Sequence, residues 1–260
     1  MTHRILPIAE GFWNVRGSFK VAGVVDVGTH ASLVRLQTGK FVLLDSYTLG
    51  PEVEREIRAI TDGGNDIEAI LNVHPFHTVH VRWMHERFPN AALYGTARHL
   101  AKFPELPWEA ARVEDAELHA RFADDFAFQI PRGVDFISKN ENVHFSSVLV
   151  MHRATATIHV DDTLMYVRLP KLARRLGRPD LFSFHPTLSQ ALEKRAGAAD
   201  DFDRWATGLA AEWGGAKNLC AAHSAVLTAA QNRGATIEQR IVEALDKTRA
   251  KLARHRRKYG

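Results

Sequence analysis

Cysteine is nearly absent: the 260-residue chain has one, Cys220. An internal disulfide is excluded, and with it the small disulfide-stapled folds. Cys220 also lacks an activating neighbour in the sequence. No apolar run approaches the roughly 18 residues that a membrane span requires, so a helical integral membrane protein is excluded and no membrane partner is expected. The first eight residues, Met1 to Ile8, show no apolar signal core and no cleavage site, which leads to the expectation of a cytoplasmic protein. Internal repeats, low-complexity linkers and a clear domain boundary are absent too. A single domain over 1–260 is expected, with a core fold over about 5–225 and a helix with a basic tail over 226–260.

One stretch combines many cations with no acidic residue. Residues 247–258 hold Lys247, Arg249, Lys251, Arg254, Arg256, Arg257 and Lys258 and no carboxylate, so the net charge of +4 is concentrated there. Aromatics do not interleave with these cations apart from Tyr259. Such a run reads as a solvated helix end whose cations favour the dipole. Nucleic acid is therefore not an expected partner, and removal of 249–260 is expected to leave a folded protein. A homo-oligomer stays open.

What is present is an ordinary globular balance, 45% hydrophobic and 25% charged. Short apolar segments open the chain: Ile5 to Ile8, Phe12 to Val15, Phe19 to Val27, Ala31 to Leu36 and Phe41 to Asp45. Thr38-Gly39 marks a turn between the last two, giving a strand meander. Pro51 to Ile60 is predicted as a helix with Pro51 in its first turn. Ile67 to Val73 is a buried strand, Thr78 to Phe88 a helix, and Ala91 to Gly95 another short strand. Residues 96–121, broken by Pro104 and Pro107, are a loop excursion or short helices. Strands are predicted at Phe126 to Ile130 and Asp135 to Ile137. A hairpin joins Val143 to Met151 and Ala154 to Val160 around an exposed His152. Leu169 to Pro179 is basic and irregular. Helices follow at Thr187 to Arg195, at Asp200 to Trp213 and from Thr236 to about Arg256, with a short strand or loop at Asn218 to His223 between the last two. Trp205 and Trp213 share a helix face and read as core.

The chemistry is concentrated where the strand Ile67 to Val73 hands over to a helix. His74, His77 and His80 stand there at equal spacing. In open α/β sheets, sites form at the carboxyl ends of strands, and imidazole is the commonest metal-ligating side chain. A helix starting near Phe76 would place His77 and His80 on one face. A cap or a satisfied core histidine is the plain alternative for each.

The element order, with Gly11-Phe-Trp-Asn-Val-Arg-Gly17, Phe41-Val-Leu-Leu-Asp45 and Ile70-Leu-Asn-Val-His74 at the joints, resembles the metallo-β-lactamase superfamily over roughly residues 5–225. The resemblance implies an α+β (α/β-type) fold, a four-layer αββα sandwich, here with a C-terminal helical extension. Members usually carry His-x-His-x-Asp-His at this joint. Read from His74 without a gap, that pattern falls on His74, Phe76, Thr78 and Val79; slid by one residue, it retains His77 and His80. Neither register supplies the aspartate, so the motif is degenerate and a dinuclear site is not expected. The family layout further implies His144, then Asp161 or Asp162 at the end of Thr155 to Asp162, then His223 as metal ligands. Register with the family's Gly-Asp pair selects Asp162. Asp45 resembles the strand-end aspartate that holds the histidine loop, His159 would hold a ligand from behind or sit on a polar strand face, and His185 would be a replacement ligand.

Zinc, or another divalent transition metal, needs three protein ligands and an open position. His77, His80 and His144 would form such a mononuclear site, as would Asp162 and His223 with one motif histidine. The expected activity is metal-dependent hydrolysis of an ester, thioester, lactone or phosphodiester in a small-molecule substrate. The alternative is a metal-free relative that serves as a binding or scaffolding module.

Overall fold

The computed structural model describes residues 3–18, 20–21, 25–26, 28–222, 225–232 and 234–260. They group into two compact units, Met1–Phe128 with Val150–His159, and Gln129–Leu149 with Val160–Gly260.

The first unit opens with strands β1 (Arg4–Ala9), β2 (Phe12–Gly17), β3 (Lys20–Val21), β4 (Val25–Asp26), β5 (Thr29–Arg35) and β6 (Phe41–Leu44). The expected strand Phe19 to Val27 falls partly outside the described residues. Helix α1 (Pro51–Ile60), strand β7 (Ile67–Leu71), helix α2 (Val81–Arg87) and strand β8 (Ala92–Tyr94) follow. Then come α3 (Ala97–Lys102), α4 (Ala116–Arg121), β9 (Phe126–Gln129), β10 (Leu149–His152) and β11 (Thr157–Val160). One sheet runs β1-β2-β5-β6-β7-β8. Its first four strands pair antiparallel, as the meander requires, while β6, β7 and β8 run parallel through the crossovers α1 and α2. The parallel strands read as continuous apolar runs because both their faces are covered: Phe41, Val42, Leu43, Leu44, Ile70 and Leu71 are all buried.

Two local devices shape the sheet. Gly17 closes β2 where a Cβ would lie 1.8 Å from the Tyr47 hydroxyl oxygen, so only glycine fits. Asp45, directly after β6, has φ of 62°, a left-handed conformation that Asp tolerates better than most residues.

The second unit continues with β12 (Leu164–Val167), α5 (Lys171–Arg175), β13 (Leu181–Phe184), α6 (Leu188–Ala191), α7 (Ala198–Trp213), β14 (Asn218–Ala221), β15 (Val226–Leu227) and α8 (Ile237–Tyr259). Helix α7 buries Phe202, Trp205, Leu209 and Trp213, the stripe its 3.6 period predicts. Phe202 lies at 5.8 Å from Phe145 and 5.1 Å from Phe184, edge to face in both pairs. Gly133, at φ of 70°, passes close under α7: a Cβ there would meet the Ala198 carbonyl oxygen at 1.9 Å. Helix α8 begins with a capping box, Thr236 with Gln239.

Several sequence expectations need correction. Residues 135–137 form no strand; Val134 makes a single bridge to Leu192. That bridge takes Leu192 out of helical geometry, so the helix expected over 187–195 shrinks to α6. The strand expected from Val143 starts only at Leu149, because Ser146 and Ser147 bond to the Asp135 carbonyl and the Thr163 hydroxyl. His152 is buried, not exposed: its ring lies between Phe12 and Phe126 and its Nδ1 meets Thr155 Oγ1 at 2.9 Å.

The tail is the largest difference. Leu252 and His255 are buried, His255 Nε2 donates to the Glu193 carbonyl at 3.0 Å, and Arg256 pairs with Asp200 and Asp203. The apolar stripe therefore extends through the basic run, so removal of 249–260 is now expected to cost stability. Urea unfolding should show Leu252→Ala losing about 2–5 kcal/mol, with deletion of 249–260 losing more. Wild-type stability in the truncated chain would contradict this packing.

Candidate metal centre

The carboxyl ends of β6 and β7 lie side by side, and the bonds there fix the histidine loop. Asp45 N–H donates to the Leu71 carbonyl at 2.8 Å. Its left-handed backbone turns the chain out of the sheet, and the buried carboxylate accepts the Val73 amide at Oδ1, 2.8 Å away. Ser46 Oγ donates to Asn72 Oδ1 at 2.6 Å, and Asn72 Nδ2 reaches the Tyr94 carbonyl at the end of β8. Asp45 thus occupies the bracing position that the sequence expects of it.

His74 follows, fully buried, with the half-buried His77 stacked on it at 4.0 Å between ring centroids. Their ligand nitrogens lie within 4.8 Å of one another. His80 does not share a helix face with His77, because α2 starts at Val81 and His80 is its N-cap residue. The His80 Nδ1 sits 2.8 Å from Thr48 Oγ1, and burial pushes its pKa down.

His99, which the sequence reading passed over, positions this loop from the side. Its Nδ1 accepts from the Thr96 amide at 3.1 Å, so the neutral ring carries its proton on Nε2 and donates it to the His77 carbonyl at 3.4 Å. Thr96-x-x-His99 forms a capping box on α3, a signal that could have been read.

A second group lies behind Asp45. Cross-strand partners Asn14 and Ser32, and Arg16 and His30, set four polar side chains opposite one another on β2 and β5, all buried. Asn14 Nδ2 bonds to the Ala31 carbonyl, Ser32 Oγ and His30 Nδ1 at 3.0–3.1 Å. Ser32 Oγ meets His159 Nδ1 at 2.9 Å, and His159 Nε2 faces Asp45 Oδ2 at 3.4 Å. His30, Asp45 and His159 offer ligand atoms within 4.8 Å of one another. Yet the His30 and His159 rings are parallel, 4.3 Å apart and 5° from coplanar orientation. Rings stacked this closely, like His74 and His77 at 4.0 Å and 21°, would have to turn before both could ligate one ion. The group as folded braces Asp45. His30 was missed by the sequence reading, although polar residues alternating at 14, 16 and at 30, 32 in apolar strands carried the signal.

The remaining expected residues are placed as follows. Asp161 and Asp162 follow β11 directly and both are buried. His144 is half-buried, with Nε2 donating to the Glu141 carbonyl. His185 Nδ1 accepts from the Thr187 amide at 3.3 Å in the turn before α6. His223 lies outside the described residues.

With this geometry in view, the similarity to solved structures is informative. DIM-1 metallo-β-lactamase, in a crystal exposed to ceftazidime, superposes with a TM-score of 0.59 over 95% of this chain and 97% of its own, at 12% identity. A metallo-β-lactamase from Erythrobacter litoralis, with β-mercaptoethanol in its active site, gives 0.59 over 94% and 95%, at 14% identity. FIM-1 from Pseudomonas aeruginosa in its mono-zinc form gives 0.58 over 95% and 96%, at 11% identity. The chain has the metallo-β-lactamase fold. No family model matches it, and no curated protein matches it by sequence. Among the described residues no helix is long and apolar enough to cross a membrane.

Two outcomes test the bracing. Asp45→Ala strands the buried Val73 amide, which costs about 1–3 kcal/mol. It also puts a Cβ without a local acceptor at positive φ, so Asp45→Gly should be less harmful by roughly 1 kcal/mol. Equal loss in both variants, read by denaturant titration, would remove the strain argument.

The second outcome concerns pH. Burial lowers the pKa of His99 from its ordinary 6.5 to about 4. Between those values the unfolded chain binds a proton that the folded chain refuses. The stabilising difference is whole above about 6.5 and is lost as pH falls towards 4, up to about 3 kcal/mol. Stability measured from pH 7 to pH 4 should fall more steeply for the native chain than for His99→Gln.

Proposed function

We propose that the protein is a metal-dependent hydrolase with a mononuclear site at the carboxyl end of β7. The observation that carries this is the pair His74 and His77, two imidazoles brought within ligand range of each other where the metallo-β-lactamase fold builds its centre. Two nitrogen donors from a braced loop suit zinc or another divalent transition metal. His74 and His77 would hold the ion with Asp162, the carboxylate that the sequence resemblance selects over Asp161; His80, His144 and His223 are the reserve donors of that resemblance. The absent motif aspartate removes a ligand for a second ion. When bound, the ion would supply Lewis acidity and a water nucleophilic at neutral pH.

The chain's own residues do the rest. Asp45 fixes the start of the loop through Val73, and His99 fixes the His77 carbonyl. His80 is tied to Thr48 beside the loop. The substrate class is a small molecule with an ester, thioester, lactone or phosphodiester bond, and the proposed compartment is the cytoplasm.

A second reading has one observation in its favour. The Phe76 amide donates to His74 Nδ1 at 3.1 Å, so the neutral His74 ring carries its proton on Nε2. Ligation through Nε2 would shift that proton to Nδ1 and displace the Phe76 amide. A metal-free relative, serving as a binding or scaffolding module, needs no such change.

Elemental analysis of untagged protein, purified without chelator and then titrated with zinc, separates the two. The hydrolase reading expects about one equivalent of metal, loss of it in His77→Ala and Asp162→Ala, and retention in Asp161→Ala. It also expects the Phe76 amide resonance to move on zinc addition. Absence of metal together with an unmoved Phe76 resonance would leave the module.

A further inference from the structure

We propose that the connection between β12 and β13, residues 168–180 with Leu181, is a docking surface for an anionic lipid membrane. Three leucines are displayed there without a core to enter: Leu172 is 70% exposed, Leu176 74% and Leu181 53%. Leu172 and Leu176 stand four apart, on one side of the turn that begins with α5. Large apolar side chains grouped on a surface mark a contact site when nothing covers them.

Loose chain does not explain the display. The Asp180 carboxylate staples the base of the loop, accepting from Tyr166 Oη at 2.7 Å and from the Leu169 amide at 2.8 Å. Arg174 Nε closes it on the Leu169 carbonyl at 3.0 Å. At the tip the Leu176, Gly177 and Arg178 amides fold back on the carbonyls of Leu172, Ala173 and Arg174. A Cβ at Gly177 would meet nothing within 4 Å, so the tip is open.

Charge chooses the occupant. Arg168, Lys171, Arg175 and Arg178 surround the leucines and are exposed, while the loop's one carboxylate, Asp180, is spent on the staple. A convex apolar tip ringed by cations matches the interface of an anionic bilayer, where leucines enter the acyl boundary and Lys and Arg meet headgroups. The lack of a spanning segment bears on insertion across a membrane and leaves surface contact open.

The test is co-sedimentation of the full chain with vesicles of phosphatidylcholine alone and of phosphatidylcholine with phosphatidylserine, at low and high salt. Binding is expected only to the phosphatidylserine vesicles, weakening with salt. Lys171→Glu with Arg175→Glu should lower it at least tenfold, and Leu172→Ser with Leu176→Ser should abolish it. All four side chains are solvent-facing or at the tip, so unchanged melting curves are expected and confirm folding. No binding to either vesicle, or binding unaffected by both pairs of changes, overturns the proposal. Sedimentation velocity covers the competing occupant: a dimer that the leucine changes dissociate, without vesicle binding, would assign the surface to a second copy of this chain and overturn the membrane.

Discussion

The fixed end of the histidine loop depends on one buried carboxylate. Asp45 sits at positive φ, fully out of water, with Oδ1 on the Val73 amide and Oδ2 facing His159. A carboxylate in that position is costly unless each lone pair is met, and the molecule meets them from two directions. The parallel strands bring one donor; the hairpin β10–β11 brings His159, itself held by Ser32. The polar faces of β2 and β5 exist to complete this arrangement. Without it, Asn14, His30 and Ser32 would be buried polar groups with no purpose in a sheet otherwise filled by leucine, valine and phenylalanine.

Much of this was legible in the sequence because it rests on local pattern. The βαβ centre follows from short apolar runs alternating with helical periodicity, and the resemblance at Phe41 to Asp45 and Ile70 to His74 led to the fold that the solved structures bear out. Helix α7 follows from four aromatic and aliphatic residues on one stripe. What was not legible rests on distant pairing. His30 becomes a partner of His159 only once β5 is placed against residues 127 to 129 positions later in the chain. His152 looked exposed because a hairpin turn normally is; Phe12 and Phe126 cover it, and neither is near in sequence.

The tail shows a different kind of failure. Seven cations in twelve residues read as solvent-facing, and most of them are. Leu252 continues the stripe of Ile237, Ile241 and Leu245, as its spacing leads one to expect; the contact not read in advance is His255. Charge density is a property of one helix face and does not report on the opposite one. Arg256 shows the two properties meeting, since its charge is used inward, on Asp200 and Asp203 of α7.

Gly17 and Tyr47 have a consequence of their own. The tyrosine ring occupies the volume that any side chain at 17 would need, and its hydroxyl is engaged with His3 Nδ1 at 2.6 Å. The two positions are 30 residues apart, yet neither is free to vary by itself. A larger residue at 17 evicts the ring, and a smaller one at 47 opens a void beneath β2. Drift along this strand is therefore confined to joint exchanges, in which the lost bulk at one site reappears at the other.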